Sequence, residues 1–299
     1  MRRLLVTLVL GAGLVLSGPA APQEPVPFDG KGTLVFSCSG CPQLLTGPSL
    51  YRVDASGTGF RRIETPRLSP YGPRWSPNGR RISLSSRFTD IWTVDPEGRS
   101  ARRLTHACIE CDYPPAAWSP TGRRLVFSRR GRLFTMNADG SRERRLFGRW
   151  RRSFSDPDWS PDGKRIAFDE RGAFPYVIGA DGLGFRRLRR VEGRHPRWSP
   201  NGRWIAFVGI ARGGRALMIV RSDGTHPRVL FKQDTVDSSC SPAWSPDGRN
   251  VVFAVRRKFE DYDGHDLMDA TLDGAPPRPI AIPELPPSAY SELYGLDWT

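Results

Sequence analysis

Trp118-Ser119-Pro120-Thr121-Gly122, running on into Arg123-Arg124-Leu125-Val126-Phe127, is the stretch that decides the fold of this chain. Proline pre-sets φ at the first central position of a tight turn and glycine supplies the left-handed angle that ends it. The apolar residues after it then leave as a strand antiparallel to the one that arrived. The pentapeptide Trp-Ser-Pro-x-Gly recurs at Trp75–Gly79, Trp159–Gly163, Trp198–Gly202 and Trp244–Gly248, which makes five copies, and Asp297-Trp298-Thr299 is a sixth, partial one. Self-similarity at a period of roughly 40 to 45 residues marks sheets arranged radially around an axis.

Each repeat carries enough apolar runs for a four-stranded meander. In the repeat of Trp118, Ala117-Trp118 ends one strand, Arg124–Phe127 makes the second, Leu133–Met136 returns, and Arg144–Phe147 follows an Ala138-Asp139-Gly140 turn. The same grammar recurs around Arg81–Leu84, Arg165–Phe168, Trp204–Phe207 and Val251–Phe253. The N-terminal segment has Thr33–Phe36, Leu50–Val53 and Phe60–Ile63 but no Trp-Ser-Pro strand ahead of them, and Leu296-Asp297-Trp298 supplies it from the other end. The expected fold is all-β: a six-bladed β-propeller of four-stranded antiparallel blades, closed by N- and C-terminal strands in one shared blade, which removes two open sheet edges.

These repeats resemble the WD40-like propeller repeat of the TolB family, in which Trp-Ser-Pro-Asp-Gly turns mark six blades. The resemblance implies an envelope adaptor that binds a lipoprotein partner. It departs from the family pattern in one respect, because TolB proper carries an α/β domain before its propeller and only a short leader precedes the first strand here.

Residues 1–21 read as a secretory signal peptide: Arg2 and Arg3, an apolar run from Leu4 to Leu16, then the small residues Ser17, Gly18, Ala20 and Ala21. Residues 22–30 form a Pro-rich leader and 31–299 the propeller. The chain is therefore expected to be exported, to the periplasm or beyond, with no transmembrane span in the mature part. Its formal charge of +14 comes almost entirely from arginine. In an exported protein such a surface favours an anionic envelope ligand or a protein partner over nucleic acid, and the chain is expected to act as a monomer.

The candidate residues fall into three groups. Cys38, Cys41, Cys108 and Cys111 form two Cys-x-x-Cys units, with Cys240 left over; an oxidising compartment favours disulfides, with free thiols and a zinc site the alternatives. The residues before the repeat tryptophans sit on the innermost strands, and ring order sets Asp297 beside Arg74 and Asp158 beside Arg197, two expected ion pairs near the central channel. Glu260, Asp261, Tyr262, Asp263 and His265 belong to an acidic insertion read as a partner-binding loop. Arginines such as Arg256 balance its charge, or else a cation does, although the spacing is not that of an EF-hand. Paired arginines, among them Arg61-Arg62, Arg102-Arg103, Arg144-Arg145 and Arg186-Arg187, mark the outermost strands, where charge discourages edge-to-edge pairing. No Gly-x-Ser-x-Gly elbow is present. The expectation is a binding module without catalytic residues, metal or cofactor, working through its loop-rich face and channel mouth. The alternative is a metal-dependent lyase or hydrolase on the face that bears the cysteines and His106, His195 and His265.

Overall fold

The computed structural model describes residues 32–39, 47–54, 57–86, 89–106, 116–148, 152–170, 173–258, 263–280, 282 and 292–299. The signal peptide and leader assigned to residues 1–30 lie outside them. The strands are β1 (Thr33–Ser39), β2 (Pro48–Asp54) and β3 (Arg61–Ile63). The second blade has β4 (Pro70–Trp75), β5 (Ile82–Ser86), β6 (Asp90–Val94) and β7 (Arg102–Arg103). The third has β8 (Ala117–Trp118), β9 (Arg124–Arg129), β10 (Arg132–Asn137) and β11 (Arg144–Phe147). The fourth has β12 (Phe154–Trp159), β13 (Arg165–Glu170), β14 (Phe174–Gly179) and β15 (Arg186–Arg187). The fifth has β16 (Gly193–Trp198), β17 (Trp204–Ala211), β18 (Gly214–Arg221) and β19 (Arg228–Lys232). The sixth has β20 (Ala243–Trp244), β21 (Asn250–Lys258), β22 (Asp263–Thr271) and β23 (Arg278–Pro279). The last strand, β24 (Glu292–Trp298), pairs antiparallel with β1, so the order β24-β1-β2-β3 completes a ring of six four-stranded sheets.

The repeated turn explains the repeated sequence. In each copy Ser N–H donates to the carbonyl five residues on, as Ser119 N does to Arg124 O at 2.8 Å, and Gly N–H closes onto the serine carbonyl. The glycines take φ between 64° and 71°, a region that costs other residues about 1–2 kcal/mol. A Cβ on Gly122, Gly163 or Gly248 would come within 3.5–3.8 Å of the proline Cδ of the preceding copy. The turns are thus stacked around one face, and proline serves both its own turn and its neighbour's.

The core lies between blades. Phe36, Phe127, Phe168, Phe207 and Phe253 occupy equivalent places on the second strand of five blades, with Leu84 in the remaining one, and all are at most 1% exposed. Each such ring contributes about 1.5–3 kcal/mol through burial. The leading arginine of several outermost strands does more than guard an edge. Arg102 Nη2 donates to Asp139 O at 3.0 Å, Arg186 Nη2 to Ser222 O at 2.7 Å and Arg228 Nη2 to Leu272 O at 2.9 Å, each in the next blade. Around the rim, blade is tied to blade.

The acidic insertion read as a partner-binding loop is mostly the end of a long hairpin, β21–β22, and Gly209–Arg215 is the end of another, β17–β18. Cys38, one of the disulfide candidates, is buried in β1 opposite Ser49; Cys41, Cys108 and Cys111 lie outside the described residues.

Candidate functional site in the central channel

The innermost strands line the axis, and four of them are interrupted by a bulge. Register slips between Tyr71 and Arg74, between Ser155 and Asp158, between Arg194 and Arg197, and opposite Phe36/Ser37 on β24. At each slip the residue three before the tryptophan is left-handed: Gly72 (φ 54°), Asp156 (49°), His195 (57°) and Gly295 (71°). Two blades meet that demand with glycine. The other two place a carboxylate and an imidazole there, and such strain persists only where the surroundings over-determine it.

At the Trp-Ser-Pro end a cavity of about 260 Å³ is lined by the tryptophans Trp75, Trp118, Trp159, Trp198, Trp244 and Trp298 together with the residues before them. Arg74 is buried, and its Nη1 lies 3.5 Å from Asp297 Oδ1, while Trp75 N donates to Asp297 Oδ2. The structure does not bring Asp158 and Arg197 together. Asp158 Oδ2 accepts from Trp198 N at 2.8 Å, and Arg197 Nη1 donates to Pro196 O at 2.9 Å and Asp156 O at 3.5 Å. The bulge turns the Asp158 carboxylate onto the next blade's free N–H, and the guanidinium close enough to act on its charge is Arg74. Both aspartates therefore bond the backbone of the following blade. Indole donors do the same in reverse, from Trp118 Nε1 to Arg74 O at 3.2 Å and from Trp244 Nε1 to Arg197 O at 3.0 Å. Burial pushes Asp158 up to about 6 and raises Asp297 as well, against the opposing pull of Arg74.

Further along the axis, His195 Nδ1 is 3.2 Å from Asp156 Oδ2, and His195 N donates to Asp169 Oδ2 at 2.9 Å. Ser155 Oγ donates to Asp169 Oδ1 at 2.6 Å, and His195 Nε2 meets Ser238 O at 2.9 Å. Both ring nitrogens face acceptors, an arrangement that suits the imidazolium. Burial alone would lower His195, but Asp156, Asp169 and the Ser238 carbonyl raise it. Burial and then the Asp156 charge push Asp169 up to about 6, whereas His195 holds Asp156 low despite its burial. Among the described residues Asp156, Asp169 and His195 form the group able to hold a metal, with ligand atoms within 4.8 Å of one another. A cation there would have to displace the Asp156–His195 contact. The sequence signal for this cluster was the residue three before each tryptophan, which went unread.

His265 is not on an open loop. It is buried in β22, with Nε2 2.9 Å from Asp237 Oδ2; Asp263 begins that strand, and Glu260, Asp261 and Tyr262 lie outside the described residues. The fully buried Asp237 also accepts from Ser239 N and Oγ and has Arg256 Nη2 at 3.4 Å. These partners hold its carboxyl far below the usual range in spite of burial. Asp237 ties the entry of the sixth blade to its two longest strands. Of the other histidines, His106 and His226 are exposed.

With this geometry in place, the comparisons are specific. A family model described as the TolB beta propeller domain matches residues 46–234. The Tol-Pal system protein TolB of Gluconobacter oxydans is 36% identical over 91 residues, covering 29% of this chain and 19% of that protein. The crystal structure of TolB from Acinetobacter baumannii superposes with a TM-score of 0.74 at 20% identity, covering 91% of this chain and 68% of that one. An oligogalacturonate lyase from Vibrio parahaemolyticus shares the fold, with a TM-score of 0.58 at 12% identity over 85% of this chain and 77% of its own. The chain thus spans about a fifth of the Gluconobacter relative's length. No helix among the described residues is long and apolar enough to cross a membrane.

Proposed function

The chain belongs to the TolB β-propeller family, and from that premise we propose that it is an exported, non-catalytic binding propeller of the cell envelope. It acts as a monomer and holds a protein or anionic envelope ligand on its loop-rich face and channel mouth. The observation that carries this reading is the asymmetry between the two faces. On one, short uniform turns stack on one another; on the other, β17–β18 and β21–β22 run as the longest strand pairs among the described residues. The channel supports it too, since Asp297, Asp158, Asp169 and His195 are each hydrogen-bonded to the backbone of another blade or segment. They brace the ring. Disulfides among Cys38, Cys41, Cys108 and Cys111 belong to the same reading, as staples of an exported fold. The test is capture from envelope extract on the immobilised mature chain, beside a variant with the β21–β22 hairpin shortened. A partner retained by the native chain and lost by the variant is expected; equal retention refutes the face assignment, and no partner at all refutes the adaptor role.

A second reading, a metal-dependent lyase or hydrolase, is favoured by one observation, the Asp156, Asp169 and His195 cluster in a fold shared with a lyase. Elemental analysis of the purified chain decides it. Stoichiometric metal that is lost on His195→Ala would move the function to catalysis.

A further inference from the structure

On the loop-rich face a cleft of about 560 Å³ opens between the fifth and sixth blades, lined by Ile210, Gly213, Arg215, Asp234, Thr235 and Arg256. Its size is in the usual range for ligand pockets, about 300–1,000 Å³. The long hairpins make its walls. Ile210 pairs with Arg215 across β17 and β18, Gln233 N donates to Arg215 O, and Arg256 N donates to Thr235 O. Backbone bonds thus hold the cleft on both sides, so it is preformed.

The charges around it lean positive. Arg215 and Arg256 line it beside one exposed carboxylate, Asp234, Lys232 comes alongside Asp234 over Gly214, and Arg212 stands in the adjoining β17–β18 turn. Arg256 leans on Asp237, but Arg212, Arg215 and Lys232 have no carboxylate within ion-pair distance among the described residues; Lys232 Nζ donates only to Arg212 O, at 3.2 Å. Some arginines elsewhere do find acids, as Arg52 and Arg61 do on Glu97, Arg103 on Asp90, and Arg152 on Glu170. At the rim stands Ile210, 59% exposed and, after Leu183, the most open large apolar side chain among the described residues. A group of cations that outnumbers its neighbouring acids, beside a projecting aliphatic group, has the charge pattern of a recognition surface for an anion that also carries apolar surface.

We propose that this cleft binds an acidic polypeptide segment whose carboxylates meet Arg212, Arg215, Lys232 and Arg256 and whose apolar side chain packs on Ile210. The assignment rests on the binding role above and gives it a place and a partner chemistry. Sugar or phosphate polyanions would satisfy the cations but leave Ile210 unused.

The test is fluorescence anisotropy on the full mature chain with a labelled twelve-residue peptide of alternating Glu and Leu, an equally charged Glu-Ser peptide, and polyphosphate. Binding of the Glu-Leu peptide is expected to weaken at least tenfold in R212E/R215E. In I210S it should fall to the level of the Glu-Ser peptide. R80E/R123E, the same charge change on the opposite face, should stay within twofold. Three results would overturn the proposal: no binding of the Glu-Leu peptide, equal losses in R212E/R215E and R80E/R123E, or preferred binding of polyphosphate that I210S leaves unchanged. Should R212E/R215E melt well below the native chain, R212Q/R215Q gives the same comparison with a smaller expected loss of about threefold. The envelope capture separates the two readings: a partner still held by R212E/R215E sinks the cleft and leaves the adaptor, while peptide binding with no captured partner sinks the adaptor and leaves the cleft.

Discussion

Replacing Asp158 by asparagine should leave the protein more stable at neutral pH than its charge suggests. Asn keeps an oxygen for Trp198 N–H, whose bond to Asp158 Oδ2 is 2.8 Å, and removes only the ionisation. In the folded chain burial raises this carboxyl from 3.8 to about 6. The sign follows from linkage: a raised folded pKa gives stability that is fully present below the unfolded value and is lost as pH rises through the folded one. The wild type therefore loses this contribution between about pH 4 and 7, and the variant does not. About two pKa units at 1.36 kcal/mol each set a ceiling near 3 kcal/mol. Urea unfolding followed by tryptophan fluorescence at pH 4, 5, 6, 7 and 8 should show the stability gap moving about 1–3 kcal/mol in the variant's favour. A gap that stays flat, or moves toward the wild type as pH rises, would refute the reasoning and restore Asp158 as a stabilising ion-pair partner.

Asp297→Ala should cost about 3–5 kcal/mol, because it strands the buried Arg74 and the Trp75 N–H, while Asp297→Asn should cost well under half of that; a double-mutant cycle with Arg74 gives the coupling. Gly295→Ala should cost at least about 2 kcal/mol, since its Cβ would sit 2.6 Å from Gly72 Cα at a left-handed φ, whereas Gly79→Ala, with open space around it, should lose only about 1. Arg102→Ala and Arg186→Ala should each cost about 0.5–1.5 kcal/mol in chemical denaturation and act additively, being ties at separate blade junctions.

The ring was legible because one short segment does several jobs at once. Trp-Ser-Pro-x-Gly sets turn geometry, strand direction and blade spacing, so five copies outweigh any ambiguity in a single apolar run. Leu296-Asp297-Trp298 was readable as the missing inner strand for the same reason. The channel was less so. Ring order correctly says which blades are neighbours, but Asp158 and Arg197 do not meet, because a bulge decides where a side chain points and linear spacing assumes none. A clue was available, since glycine stands three before Trp75 and Trp298 where Asp156 and His195 stand in other blades. Hairpin length was also in the letters: Phe253-Ala254-Val255 continues apolar past the usual strand end, and His265 follows as the partner of Arg256 across the same ladder. Reading that stretch by its acids alone made it a loop. The outer arginines were taken one blade at a time, which hides a reach to the neighbouring turn.

The union of β24 with β1 has a consequence for how the molecule comes to exist. Five blades are each built from contiguous segments and can form as the chain grows, but the sixth sheet needs residues from opposite ends. Until they meet, Asp297 has no Trp75 N–H to accept from, and Arg74 is without its counter-ion. Closure is thus the most non-local pairing in the ring, a long-range encounter whose entropic cost grows only weakly with chain length. A ring of this kind is fastened by its tail, and a chain shortened by a few residues would be an open arc with two sticky rims.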